Sequence, residues 1–251
     1  MDENSNWDLR HSNLTIVQIV AAIGVIFSHS YRIGVGGKEP LSEFAFGKCT
    51  CGTIAVAVFL FLSGFCVSQS YSSARGSIKT AVAELYNFVI RRFLRIFPVV
   101  AFAIVVCTFC LGPFVSSLST ADYFSHPLIW RYLRGIWLHS FHATPIWIWT
   151  PASDLSLAFV GFYILLYLIF RHPVGWLQKL PPISFGIFVF GFPVQQTFAH
   201  FWGGKMPHWT NFFLSLAVVI PIALFEYWTI ERPMKMLSRK LFIKVKSHEQ
   251  N

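Results

Sequence analysis

Apolar residues fall into long, nearly unbroken runs along this chain, and polar residues collect between them. A helix that crosses a bilayer needs roughly 20 mostly apolar residues. Six segments meet that description: Leu14–Tyr31, Gly52–Tyr71, Phe97–Leu118, Leu155–Phe170, Ile183–Phe201 and Phe212–Ile230. The stretch Trp130–Pro151 is apolar too, but it is rich in Trp and His and carries Arg131 and Arg134. That mixture suits the membrane interface, where Trp is enriched, better than the bilayer centre. The pattern predicts an all-α fold, a polytopic membrane helix bundle with about six spans.

Charge orients the bundle. Ser72–Arg95 carries Arg75, Lys79, Arg91, Arg92 and Arg95 against Glu84, and the C-terminal segment carries Arg232, Lys235, Arg239, Lys240, Lys244 and Lys246. The loop Arg32–Cys51 is nearly balanced, and Trp202–Trp209 has only Lys205. Lys and Arg are retained on the cytoplasmic side of spans. Both termini, Ser72–Arg95 and Arg171–Lys179 are therefore expected in the cytoplasm, with Ser119–Asp154 outside. The chain reads as one membrane-embedded domain over 1–251, ending in a basic cytoplasmic tail over 234–251.

Composition agrees. Hydrophobic residues make up 55% of the chain and charged residues 12%, with 27 Phe and 9 Trp. So few charges cannot cover the surface of a soluble domain of this length, whereas lipid tails cover an apolar exterior. The net charge of +9 sits beside apolar segments, which points to topology rather than nucleic acid. The five cysteines have no partners at metal-ligand spacing, and neither a metal site nor a disulfide framework is expected. The polar, partly acidic start MDENSNWDLRHSN does not read as a cleavable signal peptide.

Candidate chemistry lies on the spans. The first contains Gln18 and ends in Phe27-Ser28-His29-Ser30-Tyr31-Arg32. Polar groups inside a span are costly and turn to the bundle interior. Gln18 and His29 are eleven positions apart, close to three turns and about 16 Å, so both can lie on one helix face. Histidine is the usual general base near neutral pH; an interfacial imidazole bonded only to water is the equal alternative. Ser63-Gly64 in the second span suits close helix packing, and a Ser nucleophile there would need a base beside it. Arg91 and Arg95 share a helix face, with Arg92 close by. Three guanidiniums can clamp phosphates or anchor topology and touch lipid headgroups. Pro98 is expected in the first turn of the next span or at a kink. In the fifth span Pro193 should kink the helix, and Gln195 and Gln196 should seek partners inside the bundle. Pro233 should end the last helix, with Glu231 paired to a nearby Arg and Glu226 over a turn deeper.

Five of these segments, in this order, resemble the acyltransferase-3 family of integral membrane O-acyltransferases. Asn13–Ser30, Val56–Phe65, Arg91–Pro98, Ile183–Gln196 and Ile230–Pro233 look like that family's first helix, second helix, basic motif, late Ser-Tyr-Gly-Ile-Tyr helix and terminal Glu-Lys-Pro. The resemblance covers most of the chain. It implies transfer of an acyl group, usually acetyl, from cytoplasmic acyl-CoA to a sugar hydroxyl of a cell-surface polysaccharide, by a multi-pass protein of the inner membrane. It makes His29 the base, with Gln18 and Ser30 beside it in the catalytic set. It makes Arg91, Arg92 and Arg95 the holders of donor phosphates, and leaves Ser63, Gln195, Gln196 and Glu231 to bind substrate or hold structure. Lipid, acyl-CoA and a carbohydrate acceptor are the implied partners, with no nucleic acid and no metal.

The chain departs from the family twice. Gln18 stands where the family has Arg, eleven positions before His29. Trp147-Ile-Trp149-Thr-Pro151 looks like the start of the family's central Trp-x-Leu-x-x-Glu stretch but runs into Asp154-Leu-Ser-Leu without its Glu. The shorter length fits an internal deletion. An inactive relative serving as a membrane interaction protein is the alternative reading, and a small transporter a third.

Overall fold

A computed structural model of the chain describes residues 13–72, 78–116, 118–133 and 179–238. Helix α1 spans Leu14–Ile33, α2 Pro40–Phe44, α3 Cys51–Ser72 and α4 Ile78–Val106. A π-helical turn, Cys107–Leu111, carries α4 into the short α5, Gly112–Val115. Then come α6 (Thr120–Ser125), α7 (Pro127–Leu133), α8 (Ser184–Phe201) and α9 (His208–Glu226). A second π-helical turn, Tyr227–Glu231, prolongs α9, and the helical backbone runs on to Ser238. The described residues form no strand; Val35 and Pro207 make an isolated parallel bridge.

The described helices thus make an all-α bundle. Three of them are long and apolar enough to cross a membrane: Leu14–Ile33, Tyr86–Val115 and His208–Ser238. The expected spans over Gly52–Tyr71 and Ile183–Phe201 are occupied by α3 and α8. The expected span Leu155–Phe170, most of Trp130–Pro151 and the tail beyond Ser238 lie outside the described residues.

Two expected boundaries are corrected. Pro98 is neither in a first turn nor at a helix end, because α4 is continuous around it from Ile78. The segment read as a basic loop is therefore largely helix, and Arg91, Arg92 and Arg95 ride on it. Pro233 does not end the last helix either. Both π turns stop two residues before a proline, Pro113 and Pro233. A proline removes the N–H that would bond the carbonyl four residues back, and its ring clashes with that carbonyl. Widening to i→i+5 bonding re-pairs the preceding turn, so the helix bends past the proline instead of stopping.

The bundle packs through small residues. α9 turns Asn211, Ser215, Val219, Ala223 and Glu226 inward, a stripe at helical spacing. Ala22 and Ile26 of α1, Ala103 of α4, and Ile187, Phe190 and Val194 of α8 meet Val219 and Ala223 in the core. α1 lays Ala21 and Val25 against Ala55 of α3. A Cβ on Gly191 would come within 2.9 Å of Ile26, and one on Gly186 within 2.9 Å of Ala223. Such contacts let backbones approach where lipid supplies no hydrophobic drive for association. Gly64 makes no such contact among the described residues, so the close approaches fall on other glycines than the Ser63-Gly64 pair. Phe93, Phe109, Phe188, Phe213 and Phe225 stay exposed on the outside of the bundle, a surface suited to lipid rather than water.

α1 packs antiparallel to α3, and α8 antiparallel to α9, so the α1–α3 and α8–α9 connections lie together at one end, the loop end. At the loop end Val35 N–H donates to the Met206 carbonyl (2.9 Å) and His208 N–H to the Val35 carbonyl (3.2 Å). Gly34 allows this stitch by proximity, not by φ, since its Cβ would lie 2.8 Å from the His208 backbone. The opposite end is basic and carries Arg92, Arg95, Arg232 and Lys235.

Candidate functional site

His29 sits near the loop end of α1, half-buried, with its ring edge against Phe192 of α8 (centroids 5.3 Å apart). The turn that carries it is held from three sides. Gln195 Nε2 donates to the Ile26 carbonyl (2.8 Å) and to Asn211 Oδ1 (3.0 Å). Asn211 Nδ2 returns a bond to the Gln195 carbonyl (3.1 Å) and reaches Met206 Sδ (3.6 Å). Gln195, Asn211 and Met206 are all fully buried, so α1, α8 and α9 are joined by amides inside an apolar bundle.

On the α3 side, Ser28 Oγ donates to Glu39 Oε2 (2.8 Å), and the Cys51 amide N–H donates to Glu39 Oε1. Glu39 is 5% exposed and caps the start of α3 with its carboxylate, the favoured charge at a helix N-terminus. Gly52 presses on the same spot, for a Cβ there would lie 2.9 Å from Ser28. Ser30, fully buried, donates to the Phe27 carbonyl (2.7 Å). The hydroxyls flanking His29 are therefore committed, Ser28 to Glu39 and Ser30 to the Phe27 carbonyl, and the imidazole is the group left half-open. Gln18 is half-buried on α1 three turns away.

A second polar cluster lies at the basic end. Glu231 is 1% exposed and takes Lys235 Nζ at 2.8 Å and Arg95 Nε at 3.6 Å. Arg92 lies over the Phe88 ring, 5.4 Å from its centroid. Arg91 and Ser63 lie on α4 and α3, with side-chain positions outside the described set. Gln196 is exposed, so of the adjacent amides only Gln195 finds partners inside, as a helix turns consecutive residues by about 100°.

His29 and Arg95 are not in contact. His29 meets α8 at Phe192, while Gly186 of α8 meets Glu226, five residues before the basic-end acid Glu231. Six residues of helix separate those levels by about 9 Å. The site is thus an axial arrangement, with guanidiniums at one end, an imidazole towards the other, and α8 between them.

Glu39 and Asn211 are the supporting residues that sequence reasoning passed over. Glu39 counts in the sequence only as one of the charges of the nearly balanced loop Arg32–Cys51. Its signal is Pro40 at the first position of α2, which marks a helix start and fixes the preceding residue. Asn211 has a weaker signal, one amide in an apolar run.

No protein-family profile and no solved structure matches the chain. It is similar to a protein named O-acetyl transferase from Shigella phage Sf6, at 26% identity over 238 aligned residues covering 84% of this chain and 67% of that protein. This likeness supports the acetyltransferase reading of the sequence at a coarse level, and the apolar helices support its membrane setting.

Proposed function

We propose that this chain is a membrane O-acyltransferase that moves an acetyl group from acetyl-CoA to a sugar hydroxyl of a surface polysaccharide. The observation that carries the reading is the likeness to an O-acetyl transferase along most of the chain. The geometry supplies roles. A ring nitrogen of His29 accepts the proton of the sugar hydroxyl as the oxygen attacks the thioester carbonyl. The carbon–sulfur bond breaks, coenzyme A leaves as thiolate and is then protonated, and the sugar carries an ester. Arg91, Arg92 and Arg95 bind the donor's phosphates at the basic end, which the charge rule puts in the cytoplasm. The arm of the donor then runs along α8 towards His29. Gln18 replaces a permanent cation with a neutral amide, so charge on the developing oxyanion is offset by other donors.

The test is expression in a bacterial host lacking its own transferase, with acetyl esters on surface polysaccharide read by mass spectrometry. Wild type should add esters, and His29→Ala should reduce the rate about 100-fold or more at an unchanged membrane level. Full activity of His29→Ala refutes the base assignment. A wild type that neither adds esters nor binds acetyl-CoA is instead an inactive relative.

A further inference from the structure

At the basic end a buried acid holds two cations from different helices. Glu231 closes the π turn that prolongs α9, and its side chain is fully enclosed. Lys235 Nζ lies 2.8 Å from Glu231 Oε1, and Arg95 Nε of α4 lies 3.6 Å from the same oxygen. The side chains of Lys235 and Arg95 are 40% and 44% exposed. The carboxylate thus grips both cations from inside, and each keeps an outer side open. Lys235 is fixed a second time by the Tyr227 ring, whose centroid is 5.4 Å from its ammonium, and Tyr227 packs on the bundle core. The pair with Arg95 uses Nε, so among the described residues the two terminal nitrogens of its fork are uncommitted.

Topology alone does not call for this arrangement. Lys and Arg near a helix end reach the headgroup level on their own long side chains, and a buried acid beneath them subtracts charge from that end. An acid in a span is also costly unless it is paired. What the acid adds is geometry. It fixes a guanidinium and an ammonium against one oxygen atom, close enough for a single phosphate to take bonds from both. Both groups bond phosphate oxygens strongly, the guanidinium through parallel N–H donors and the ammonium as a point charge. Arg91 and Arg92 stand about one turn before Arg95 on α4, and Arg232 lies over the Trp228 ring, 4.4 Å from its centroid. The cations named here therefore outnumber the acids Glu226 and Glu231, and the end stays suited to an anion.

We infer that Lys235 is a further residue that binds the donor's phosphates, and that Glu231 is the positioning residue that holds Lys235 and Arg95 as one site. This rests on the acetyl-CoA reading above. It also gives a use to the helix that continues past Pro233. Lys235 reaches Glu231 at the i, i+4 spacing of that helix, and a chain that stopped at the proline would not bring it there. Phosphates occur on anionic lipid headgroups too, which basic side chains meet at a membrane surface, so the test separates the two sources.

The test uses the full-length protein in phosphatidylcholine nanodiscs, with and without phosphatidylglycerol. It reads equilibrium binding of acetyl-CoA and of acetyl-pantetheine, which lacks every phosphate. Lys235→Met should weaken acetyl-CoA about tenfold and leave acetyl-pantetheine unchanged, and Lys235→Arg should recover most of the loss. Glu231→Gln discriminates by sign. Removing a negative charge from an anion site tightens binding if net charge is all that matters, whereas losing the anchor should weaken acetyl-CoA a few-fold, again with acetyl-pantetheine unchanged. Both losses should hold in both lipids. Equal losses for the two ligands mark a structural pair and overturn the inference, as does unchanged acetyl-CoA binding in Lys235→Met. Unchanged or tighter binding in Glu231→Gln overturns the positioning role. A Lys235→Met effect seen only with phosphatidylglycerol makes the headgroup the ligand and overturns the assignment to the donor. Wild type that binds neither ligand and adds no esters fails the acetyl-CoA reading, and this inference with it, a result distinct from wild type that binds acetyl-CoA while the variants bind it equally well.

Discussion

Replacing Gln195 and Asn211, singly and together, by Leu measures how firmly the turn bearing His29 is held. The structure isolates one bond for this cycle. In Gln195→Leu the Asn211 Nδ2 bond survives, because it goes to the main-chain carbonyl of residue 195. In Asn211→Leu the Gln195 bond to the Ile26 carbonyl survives. Only the bond from Gln195 Nε2 to Asn211 Oδ1, 3.0 Å long, is lost in both single variants. Side-chain hydrogen bonds between helices in bilayers couple by about 0.6 kcal/mol on average and about 1.7 kcal/mol at most. This bond has the ordinary length of an N–H···O bond, and both residues are fully buried, so burial alone puts the coupling in the upper half of that range. The first single change also strands Asn211 Oδ1, so Gln195→Leu alone should cost about 1–3 kcal/mol. The assay is reversible unfolding in mixed micelles with the four proteins at one lipid ratio. A coupling energy of zero within error refutes the reasoning, for it means that the amides do not act as a unit. Because Gln195 holds Ile26 in place three residues before His29, transferase activity should fall in Gln195→Leu more than in Asn211→Leu.

Other outcomes follow from the same contacts. Glu39→Ala removes the acceptor of both Ser28 and the Cys51 amide and should destabilise the protein by about 1–3 kcal/mol, read as a lower unfolding midpoint together with lower activity. Gly191→Val forces a side chain into Ile26, where a Cβ alone would already lie 2.9 Å away; overpacking of this kind costs about 1–3 kcal/mol, whereas Gly64→Ala, which meets nothing within 4 Å, should be neutral by the same measurement.

Periodicity made much of the bundle legible. Leu14–Ile33, Cys51–Ser72 and Ser184–Phe201 end within two residues of where their apolar runs end, because in a bilayer the length of the run and the need to pair backbone groups leave few other solutions. The two misplaced boundaries share one cause. Pro98 reads as the first turn of a span or a kink, and Pro233 as a stop, since local rules say that proline interrupts i→i−4 bonding. Yet α4 continues around Pro98, and a π turn carries the last helix past Pro233. A register change of that sort has no one-residue signature. Buried polar character was legible where a residue is unusual for its setting: His29 and Glu231 stand out of apolar runs, and the bundle half-buries the one and fully buries the other. It was not legible where a residue's meaning depends on its partner. Glu39 reads as a loop charge until α3 begins over it, and Gln195 and Gln196 read alike until the helix turns one in and one out.

The buried polar groups divide into two kinds, and the division has functional content. Gln195, Asn211, Ser28 and Glu39 are bonded to one another or to backbone across helix boundaries. They fix where α1, α3, α8 and α9 lie, and they surround the turn that carries the imidazole. Such a frame keeps a half-buried ring from drifting, and positioning within fractions of an ångström is what a general base needs to be effective. Glu226 belongs to the other kind, with acceptors and no donor among the described residues. A carboxyl left this way weakens the resting bundle, and Leu in its place would pack without that cost. The amides near the loop end are themselves only partly satisfied, since Gln195 Oε1 has no partner among the described residues, yet Gln195 Nε2 still holds the turn that precedes His29.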